Sequence, residues 1–459
     1  MIADLKPYSE YKDSGSQWLA LVPSHWEVRN LRTLLRLRNE RDRADLPLLS
    51  VAREKGVFVR SLTDASENHN VIPEDLSNYK VARAGNLVIN KMKAWQGSMG
   101  IAPTDGIVSP AYFVFEFGLA NRAFGQALLR SRPYVAHFAQ ASDGVRVGQW
   151  DLSIAGMRQI PVLVPPSDEQ AAIVKYLGWA NGRLEWTIRA KRKIIALQEE
   201  KKQTIVHRAV TRGLSPCGQL QASGMLWLTE VPAHWSLAPN RSLLRIRKVL
   251  VGARHSEYQL LSLTKTGVIV RDMTTAKGKF SNFWERSQEV RPGDLVFCLF
   301  DVDETPRTVG LSRHHGMISG DYTVMECSDR LAASFVECFY KAMDDRKLLS
   351  PLYTGLRKRI SKPLLLAAKT PMPPKCEQAD IVRYINDAVS LIDQRIGHLR
   401  DEIRLITEYR ARLVADVATG KLDVREASAH LPEEVAPDAA VEDDDLSIDP
   451  EAVDEEAVV

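Results

Sequence analysis

The sequence predicts a mixed α/β protein (α+β) of two pseudo-repeated units, each a globular half followed by a long helix, with the two helices packing as an antiparallel coiled coil. One set of motifs occurs twice, at an offset of 209 residues. Each copy has short β-branched and aromatic runs between turn residues, and then a long stretch with apolar residues every three or four positions. A chain of 459 residues is longer than most single domains, so two or more modules with their own cores are expected.

The repeat is clearest in a tryptophan motif near the start of each copy. Trp18-Leu19, Val22-Pro23 and His25-Trp26 recur as Trp227-Leu228, Val231-Pro232 and His234-Trp235. Later pairs keep the same order: Leu48-Leu49-Ser50 with Leu260-Leu261-Ser262, Gly106 and Tyr112 with Gly316 and Tyr322, and Glu169-Gln170 with Glu377-Gln378. So many ordered matches indicate a tandem duplication. We expect the four tryptophans of the motif to pack in the domain cores.

The globular halves are predicted to contain short strands. The apolar and aromatic runs that indicate them are Leu87 to Asn90, Tyr112 to Phe117, Ile160 to Val164, Val268 to Arg271 and Leu295 to Phe300. Gly, Asn and Asp residues of the kind that form turns separate these runs. Each globular half is therefore expected to be mixed α/β.

Paired prolines end each globular half, and a long helical pattern follows. The apolar positions of the second helix are Ile381, Ile385, Ala388, Ile392, Ile396, Leu399, Ile403, Ile406, Leu413 and Val417, interrupted by Arg410; those of the first are Ile173, Leu177, Ala180, Leu184, Ile188, Ile195 and Ile205. Alternating steps of three and four are typical of a coiled-coil seam. About 37 helical residues at 1.5 Å each would span roughly 55 Å. Ser167 and Gln170 have the spacing of a capping box at the first helix start.

Charge is unevenly distributed along the chain. The formal net charge is +3, but residues 424–459 hold thirteen acidic residues against Arg425 alone. Without that segment, 60 Lys+Arg face 45 Asp+Glu, which leaves +15 on the part expected to fold. Such an excess favours a polyanionic partner, against the alternative of an ordinary solvated basic surface. The acidic tail lacks aromatic residues and apolar periodicity, and we expect it to be disordered.

Motifs of catalytic sites, metal sites and membrane segments are missing from the sequence. It has no phosphate-binding loop, no Gly-x-Gly dinucleotide turn and no Asn/Asp-Pro-Pro-Tyr/Phe motif of amino-methyltransferases. The five cysteines never fall in the close pairs of zinc sites, and Asp301, Asp303 and Glu304 are expected to form a solvated acidic turn. No apolar run approaches about 18 residues and no secretory leader is recognisable, so we expect a cytoplasmic protein without membrane contact.

The order of these features resembles the specificity subunit of type I restriction-modification systems. The resemblance covers nearly the whole chain to about residue 423, and rests on the two tryptophan motifs, the two Glu-Gln helix starts and four further segments. Those segments are Asn90-Lys91-Met92-Lys93-Ala94-Trp95-Gln96, Gly106-Ile107-Val108-Ser109-Pro110-Ala111-Tyr112, Val210-Thr211-Arg212-Gly213-Leu214 and Ala418-Thr419-Gly420-Lys421-Leu422-Asp423. The sequence departs from the family's pattern at 297–303, where the second domain differs from 89–95 of the first, and in its acidic tail.

The resemblance implies target recognition domains at 1–166 and 214–374, spacer helices at 167–213 and 375–423, and an acidic tail at 424–459. It implies a non-catalytic subunit that binds double-stranded DNA, with one half-site for each recognition domain and the helices as a spacer. The implied partners are two modification subunits, which methylate adenine with S-adenosylmethionine, and two restriction subunits, which are translocase-nucleases that use ATP and Mg. No cofactor or metal is expected on this chain itself.

The strongest candidate DNA contacts follow a predicted strand in the first domain. The candidates are Lys91, Lys93, Trp95 and Gln96, in a segment that ends at Gly97. Together they provide hydrogen-bond donors, a stacking ring and two positive charges. Lysine and glutamine side chains can read base edges in the major groove. The alternative is an ordinary solvated loop.

The other candidate contacts are basic or amide residues in loops. Two clusters follow a glycine at the same place in each repeat and suit contact with phosphates, whereas a third lies in a loop of the second domain, where a solvated loop is an equally good interpretation. The first two clusters are Arg146 with Gln149 and Arg357 with Lys358 and Arg359; the third is Arg307, Arg313 and His314.

Two alternative hypotheses are a free-standing DNA-binding regulator and the recognition part of a fused restriction-methylation enzyme. The second requires fused methylation and nuclease motifs, which the sequence lacks. A copurification that returns no methyltransferase would favour the first. Exposed apolar positions on the long helices are expected to be the docking surface for modification subunits, in contrast to a basic face at Lys191, Arg192 and Lys193.

Overall fold

The computed structural model describes residues 5–16, 18–53, 55–60, 75–144, 150–215, 218–271, 286–300, 308–327, 329–355 and 358–432. The chain forms two compact units. Unit 1 comprises residues 1–191 and 401–440, and unit 2 comprises residues 192–400 and 441–459. Each unit therefore holds one globular half together with parts of both long helices.

Short strands and three helices make up the globular half of unit 1. The strands are β1 (Tyr11–Asp13), β2 (Leu21–Pro23), β3 (Glu27–Asn30), β4 (Leu35–Arg38), β5 (Leu49–Ala52), β6 (Gly56–Val59), β7 (Lys80–Ala82), β8 (Leu87–Asn90), β9 (Met99–Ile101), β10 (Gly106–Val108), β11 (Tyr112–Phe117), β12 (Ser142–Asp143), β13 (Asp151–Leu152) and β14 (Pro161–Val164), and the helices are α1 (Arg122–Leu129), α2 (Arg132–Gln140) and α3 (Ile154–Arg158).

A four-stranded antiparallel sheet lies at the centre of unit 1. Its order is β4-β11-β8-β9, and the remaining strands pair in twos as β1-β2, β3-β14, β5-β6, β7-β10 and β12-β13. Every residue of β8 is buried because apolar clusters lie on both of its faces. Trp26 is fully buried in the larger cluster and Trp18 packs against Tyr134, which confirms that these tryptophans belong to the core.

Unit 2 repeats this plan with different side chains. Its strands are β15 (Leu220–Met225), β16 (Leu228–Pro232), β17 (Ser236–Pro239), β18 (Leu244–Ile246), β19 (Leu261–Thr264), β20 (Gly267–Val270), β21 (Gln288–Val290), β22 (Leu295–Phe297), β23 (Val309–Leu311), β24 (Gly316–Ile318), β25 (Thr323–Cys327) and β26 (Lys369–Met372). The central sheet has the order β18-β25-β22-β23, the counterpart of the sheet in unit 1. Trp235 is buried in the core, and Trp227 packs against Phe339.

The remaining elements are helices, and two of them are long. They are α4 (Ser167–Arg212, 46 residues), α5 (Asn240–Leu243), α6 (Arg330–Asp345), α7 (Lys362–Ala367), α8 (Lys375–Ala418, 44 residues) and α9 (Arg425–Ala429). Both long helices exceed the predicted 37 residues. None of the helices within the described ranges is long and apolar enough to cross a membrane.

The predicted seam of each long helix is confirmed. None of the ten apolar seam positions of α8 is exposed, and five of the seven on α4 are buried or pack directly against the core of unit 1. Arg410, the interruption in the α8 seam, donates to Glu185 on α4 at 2.7 Å within unit 1. The guanidinium group therefore has an ion-pair partner on the neighbouring helix, although it interrupts the apolar seam.

Cross-helix ion pairs fix the direction of the two long helices inside each unit. In unit 1, Glu185 pairs with Arg410 and Lys191 pairs with Glu402 at 2.6 Å. In unit 2, Lys202 pairs with Asp393 at 2.6 Å, and Glu199 approaches Arg400 at 3.8 Å. Residue numbers rise along α4 as they fall along α8, so the predicted antiparallel packing is confirmed within each unit.

A buried carboxylate joins the start of α4 to the globular half of unit 1. Glu169 accepts hydrogen bonds from Tyr8 Oη at 2.5 Å and Trp26 Nε1 at 3.0 Å, and His25 Nε2 lies 2.7 Å from its other oxygen. Burial and the bond to Glu169 raise the pKa of the Tyr8 hydroxyl, so it remains a donor. The Glu-Gln motif therefore fixes the tryptophan motif to the helix.

The equivalent carboxylate of unit 2 has fewer partners. Glu377 lies 2.8 Å from His234 Nε2, and its side chain is 23% exposed. Trp235 Nε1 is buried and has no hydrogen-bond partner among the described residues. Cys217, which occupies the repeat position of Tyr8, lies outside those residues.

The predicted capping box is wrong. Gln170 Nε2 donates to Pro165 O at 2.8 Å, and its oxygen accepts from Asn121 N at 3.0 Å. The side chain thus bonds to the proline turn and to the residue before α1, because Gln170 is buried and faces the globular half. Gln378 repeats the first contact, donating to Pro373 O at 2.7 Å.

The segment after α8 closes on the start of the chain within unit 1. Asp423 N donates to Lys6 O at 2.8 Å, and Tyr11 Oη donates to Lys421 O at 3.2 Å. Gly420 has a φ of +75° and lies so close to Trp26 that a Cβ would be 3.0 Å from the ring, so only glycine fits there.

Residues 424–432 differ from the expected disordered tail. Val424 and Leu431 are buried in the core of unit 1, with α9 between them, and Lys175 Nζ donates to Leu431 O at 2.9 Å. These two apolar side chains reach the core because Asp423 already lies beside Lys6. The rest of the predicted tail, residues 433–459, lies outside the described residues.

Replacing the two helix-start carboxylates should destabilise the chain unequally. Glu169→Ala leaves the buried Tyr8 hydroxyl and Trp26 indole without an acceptor, so we expect the free energy of unfolding to fall by about 2–4 kcal/mol. Glu377→Ala removes one part-exposed contact and should cost about 1 kcal/mol. Urea denaturation followed by circular dichroism measures both, and equal losses would contradict the assignment.

Candidate nucleic-acid interface

The candidate loop of unit 1 is a hydrogen-bonded turn at the end of β8. Asn90 is buried, and its side-chain oxygen accepts from Met92 N at 3.1 Å. A short 3-10 helix spans Ala94–Gln96 and ends at Gly97, whose φ of +88° and closeness to Val135 leave little room for a side chain. Trp95 Nε1 donates to Met92 O at 3.1 Å, so the ring is held inside the turn.

Side chains of this turn form one cluster with side chains of β13 and of the residue before it. Lys91 Nζ lies 2.9 Å from Asp151 Oδ2, and the rings of Trp95 and Trp150 are 5.2 Å apart. Leu152 N donates to Lys91 O at 2.9 Å, which joins the turn to β13 through the backbone. One cation, one carboxylate and two indoles therefore meet at one place on unit 1.

The predicted residues of this loop differ in what they contact. Lys91 and Trp95 belong to the cluster with β13. The side chains of Lys93 and Gln96 have no hydrogen-bond partner within the ranges that the structure describes, so they are available to an external ligand. Arg146 and Gln149 lie outside the described residues. Trp150 and Asp151 were not among the predicted contacts, although Trp150 stands directly after the predicted basic loop.

The equivalent region of unit 2 is a cleft. Ile360 N donates to Leu299 O at 2.9 Å, the counterpart of the Leu152–Lys91 bond, and Thr354 pairs with Arg359 across a short loop. The cleft has a volume of about 610 Å³. Its lining residues are Leu299, Phe300, Asp321, Thr323, Thr354, Arg359, Ile360, Ser361 and Lys362.

Two of the predicted contacts of the second domain lie at this cleft or next to it. Arg359 lines it, and Lys358 precedes Arg359 with a φ of +43°. Lys362 adds a second cation to the lining that sequence analysis did not identify, and Phe300 adds an aromatic ring. Arg307 and Arg357 lie outside the described residues.

Arg313 and His314 lie at the opposite end of β22 from the cleft. Ser312, which precedes them, exchanges backbone hydrogen bonds with Gly293 and Asp294 just before β22 begins, whereas the cleft lies beyond the end of β22. The structure therefore separates these two residues from Arg359 by the length of the strand. Both side chains are exposed.

The turn of Arg313 and His314 borders a cluster of charged residues in the core of unit 2. The buried Glu289 accepts from His315 at 3.0 Å, from Arg291 at 3.1 Å and from Arg247 at 3.3 Å, and Arg247 also pairs with Asp294. Burial raises the pKa of Glu289, but the bonds from His315 and Arg291 outweigh burial and lower it.

No group of three or more His, Cys, Asp or Glu side chains within the described ranges is arranged to hold a metal ion. The acidic residues Asp301, Asp303 and Glu304, which we expected to form a solvated turn, lie outside those ranges. The arrangement that remains is suited to binding: cations and aromatic rings with one carboxylate in each unit, Asp151 in unit 1 and Asp321 in unit 2.

Comparisons with known proteins bear on the fold. No family model and no curated protein matches the sequence. Among solved structures, one on the complex assembly and conformational transition of the type I R-M system contains a similar chain, with a TM-score of 0.62 at 13% identity over 87% of this chain and 99% of that chain. The two chains share one fold. The motif-based resemblance is thus confirmed at the level of architecture.

Two further solved structures are similar to this chain. One is the HsdS subunit from Thermoanaerobacter tengcongensis, with a TM-score of 0.47 at 16% identity over 87% of this chain and 98% of that chain. The other is the type I restriction-modification system S subunit from M. genitalium, with a TM-score of 0.32 at 11% identity over 85% of this chain and 96% of that chain.

Removing the buried carboxylate of the charged cluster should destabilise unit 2 in a pH-dependent way. Glu289→Gln leaves Arg247 poorly compensated and should lower the free energy of unfolding at pH 7 by about 3 kcal/mol. Because the pKa of Glu289 in the folded chain lies below its ordinary 4.5, its contribution is complete above pH 4.5 and is lost as the pH falls through the folded value.

The difference between wild type and Glu289→Gln should therefore shrink in acid, as measured by urea denaturation at pH 7 and pH 4. The matched control is Glu116→Gln, which breaks an exposed pair with Arg38, the repeat counterpart of Arg247. It should cost less than about 1 kcal/mol. A difference that stays constant or grows as the pH falls would contradict the assigned direction of the pKa shift.

Proposed function

We propose that this chain is the DNA-recognition subunit of a type I restriction-modification complex. It binds a two-part DNA site through one target recognition domain in each unit, and it directs adenine methylation and restriction by partner subunits. The supporting observation is the shared fold with a chain from a type I R-M system over 99% of that chain, together with the motifs that first indicated the same family.

The internal duplication fits recognition of two different half-sites. In each unit, one backbone hydrogen bond of 2.9 Å joins the turn after a central strand to a later segment of the domain. The bond runs from Leu152 N to Lys91 O after β8 in unit 1, and from Ile360 N to Leu299 O after β22 in unit 2. The side chains on this shared frame differ, with Lys91 and Trp95 in unit 1 and Phe300 and Arg359 in unit 2. Two copies of one frame with different chemistry would read two different sequences.

The long helices fit the role of a spacer. At a rise of 1.5 Å per residue, the 46 residues of α4 correspond to roughly 69 Å of helix. In DNA-binding proteins with two readers, the distance between the readers sets the spacing of the half-sites. The DNA between the half-sites would then remain unread, and a change in helix length would change the gap.

Catalysis is proposed to belong to the partners. Two modification subunits would carry S-adenosylmethionine and methylate adenine, and two restriction subunits would use ATP and Mg for translocation and cleavage. A methyltransferase must turn its target base out of the duplex, which is easier when another subunit already holds the flanking DNA. This chain would be the subunit that binds the flanking DNA.

Mapping adenine methylation tests the proposal directly. The chain is co-expressed with the modification subunit encoded beside it, and methylated adenines are mapped across the host genome. We expect one motif with two specific halves and a fixed gap, because two rigid readers sit on one spacer. A stable complex that methylates nothing, or a chain that copurifies with no methyltransferase, would favour the free-standing regulator.

Docking of the modification subunit is proposed to use apolar residues of the long helices. Within unit 1, Trp186 on α4 is 65% exposed and Leu405 on α8 is 57% exposed, so both long helices offer apolar surface to a partner. Lys191 is already paired with Glu402, so its charge is partly compensated inside the chain.

Trp186→Ser should weaken the complex with the modification subunit at least about tenfold, since large aromatic side chains dominate binding energy at interfaces. The control is Lys193→Glu, a charge reversal on the same helix at an exposed position, which should change affinity less than about twofold. Isothermal titration calorimetry measures both. The opposite result, with loss only in Lys193→Glu, would assign docking to the basic face.

A further inference from the structure

Residues 151 and 359 occupy one structural position in the two units. The residue after each donates its backbone N–H across to the strand-end turn, Leu152 to Lys91 and Ile360 to Leu299, both at 2.9 Å. The next residue in each unit is a serine that caps a short helix: Ser153 accepts from Gly156 N and Ser361 from Leu364 N, both at 3.3 Å. The backbone is therefore matched on the C-terminal side of this position.

The side chains at this position carry opposite charges. Unit 1 has Asp151, whose side chain is 56% exposed and gives one oxygen to Lys91. Unit 2 has Arg359, which lines the 610 Å³ cleft and has no acidic partner within the described ranges. The residue facing this position changes in step, from Lys91 in unit 1 to the buried Leu299 in unit 2.

We propose that Asp151 and Arg359 are the specificity-determining residues of the two recognition domains, each reading a base edge in its own half-site. This inference rests on the proposed function and assigns a role to one position of the shared frame. A carboxylate beside DNA is repelled by phosphates, so it stabilises binding only by accepting from a base amino group, of which cytosine N4 is the usual donor to Asp and Glu.

Lys91 makes that contact feasible in unit 1. It holds one carboxylate oxygen and offsets the charge, while the second oxygen has no hydrogen-bond partner among the described residues and the side chain remains more than half exposed. The rings of Trp95 and Trp150 pack against each other next to the Lys91–Asp151 ion pair. Asp151 is therefore oriented before DNA arrives, and a preoriented side chain loses less entropy on binding.

Arg359 has the complementary chemistry in unit 2. A guanidinium group donates two parallel hydrogen bonds to guanine O6 and N7, the commonest specific contact in the major groove. Lys362 lines the same cleft and can neutralise a phosphate, while Asp321 lies on the wall with one oxygen accepting from Ser319 Oγ at 2.9 Å. The two half-sites are thus expected to differ in the base read at this position, cytosine in one and guanine in the other.

The test uses the full chain in complex with its modification subunit, and the readout is the base frequency at each position of the methylated motif. Asp151→Asn should relax one cytosine position in one half-site, and Arg359→Gln should relax one guanine position in the other, each by about tenfold or more. Each variant is the control for the other, because each should leave the opposite half-site unchanged. Lys362→Gln should lower methylation at all sites without changing any base preference.

The outcomes separate this inference from the proposed function. If the wild-type complex methylates a split motif and both variants keep every base preference, the inference is overturned and the proposed function stands. If the variants lose affinity uniformly across sequences, both residues contact phosphates and the inference is overturned as well. A wild-type complex that methylates no split motif overturns the proposed function and the inference together.

Discussion

A buried carboxylate at the start of α4 is the constraint on which unit 1 depends. Glu169 is stable in the core only while Tyr8, His25 and Trp26 supply donors, because an uncompensated charge there would cost several kcal/mol. Those donors come from segments more than 140 residues away in sequence. The tryptophan motif, the proline turn and the helix start can therefore fold only as one assembly, and the helix leaves the globular half in a fixed direction.

The two units show how far a duplicated frame can diverge while its backbone is preserved. Glu289, buried among Arg247, Arg291 and His315 in unit 2, takes the strand position that Val81 fills in the apolar core of unit 1. Both solutions satisfy the same rule, since a buried group must be apolar or fully paired. The same freedom at the surface is what would allow one fold to carry two different recognition chemistries.

Much of the architecture could be predicted because periodicity and repetition are properties of the sequence itself. The seam of α8 was identified in full, including Arg410, whose partner Glu185 could not be found without the structure. The capping box failed because local spacing cannot reveal that Gln170 faces Asn121, a contact made 49 residues away. Asp151 was missed for a similar reason: a carboxylate next to a basic loop acquires meaning only when Lys91 is seen to lie beside it.

The contact between the two ends of the described chain has a consequence for biosynthesis. Val424 and Leu431 complete the core of unit 1, and Asp423 bonds to Lys6. On the ribosome, the core of the first globular half therefore cannot be completed until Leu431 has emerged, after the globular half of unit 2 has been synthesised. Among the described residues, the core of the globular half of unit 2 includes none beyond α8, so this half can mature earlier. The part synthesised first would then be the part finished last, and a nascent chain arrested before residue 424 would expose the apolar surface around Tyr8 to chaperones.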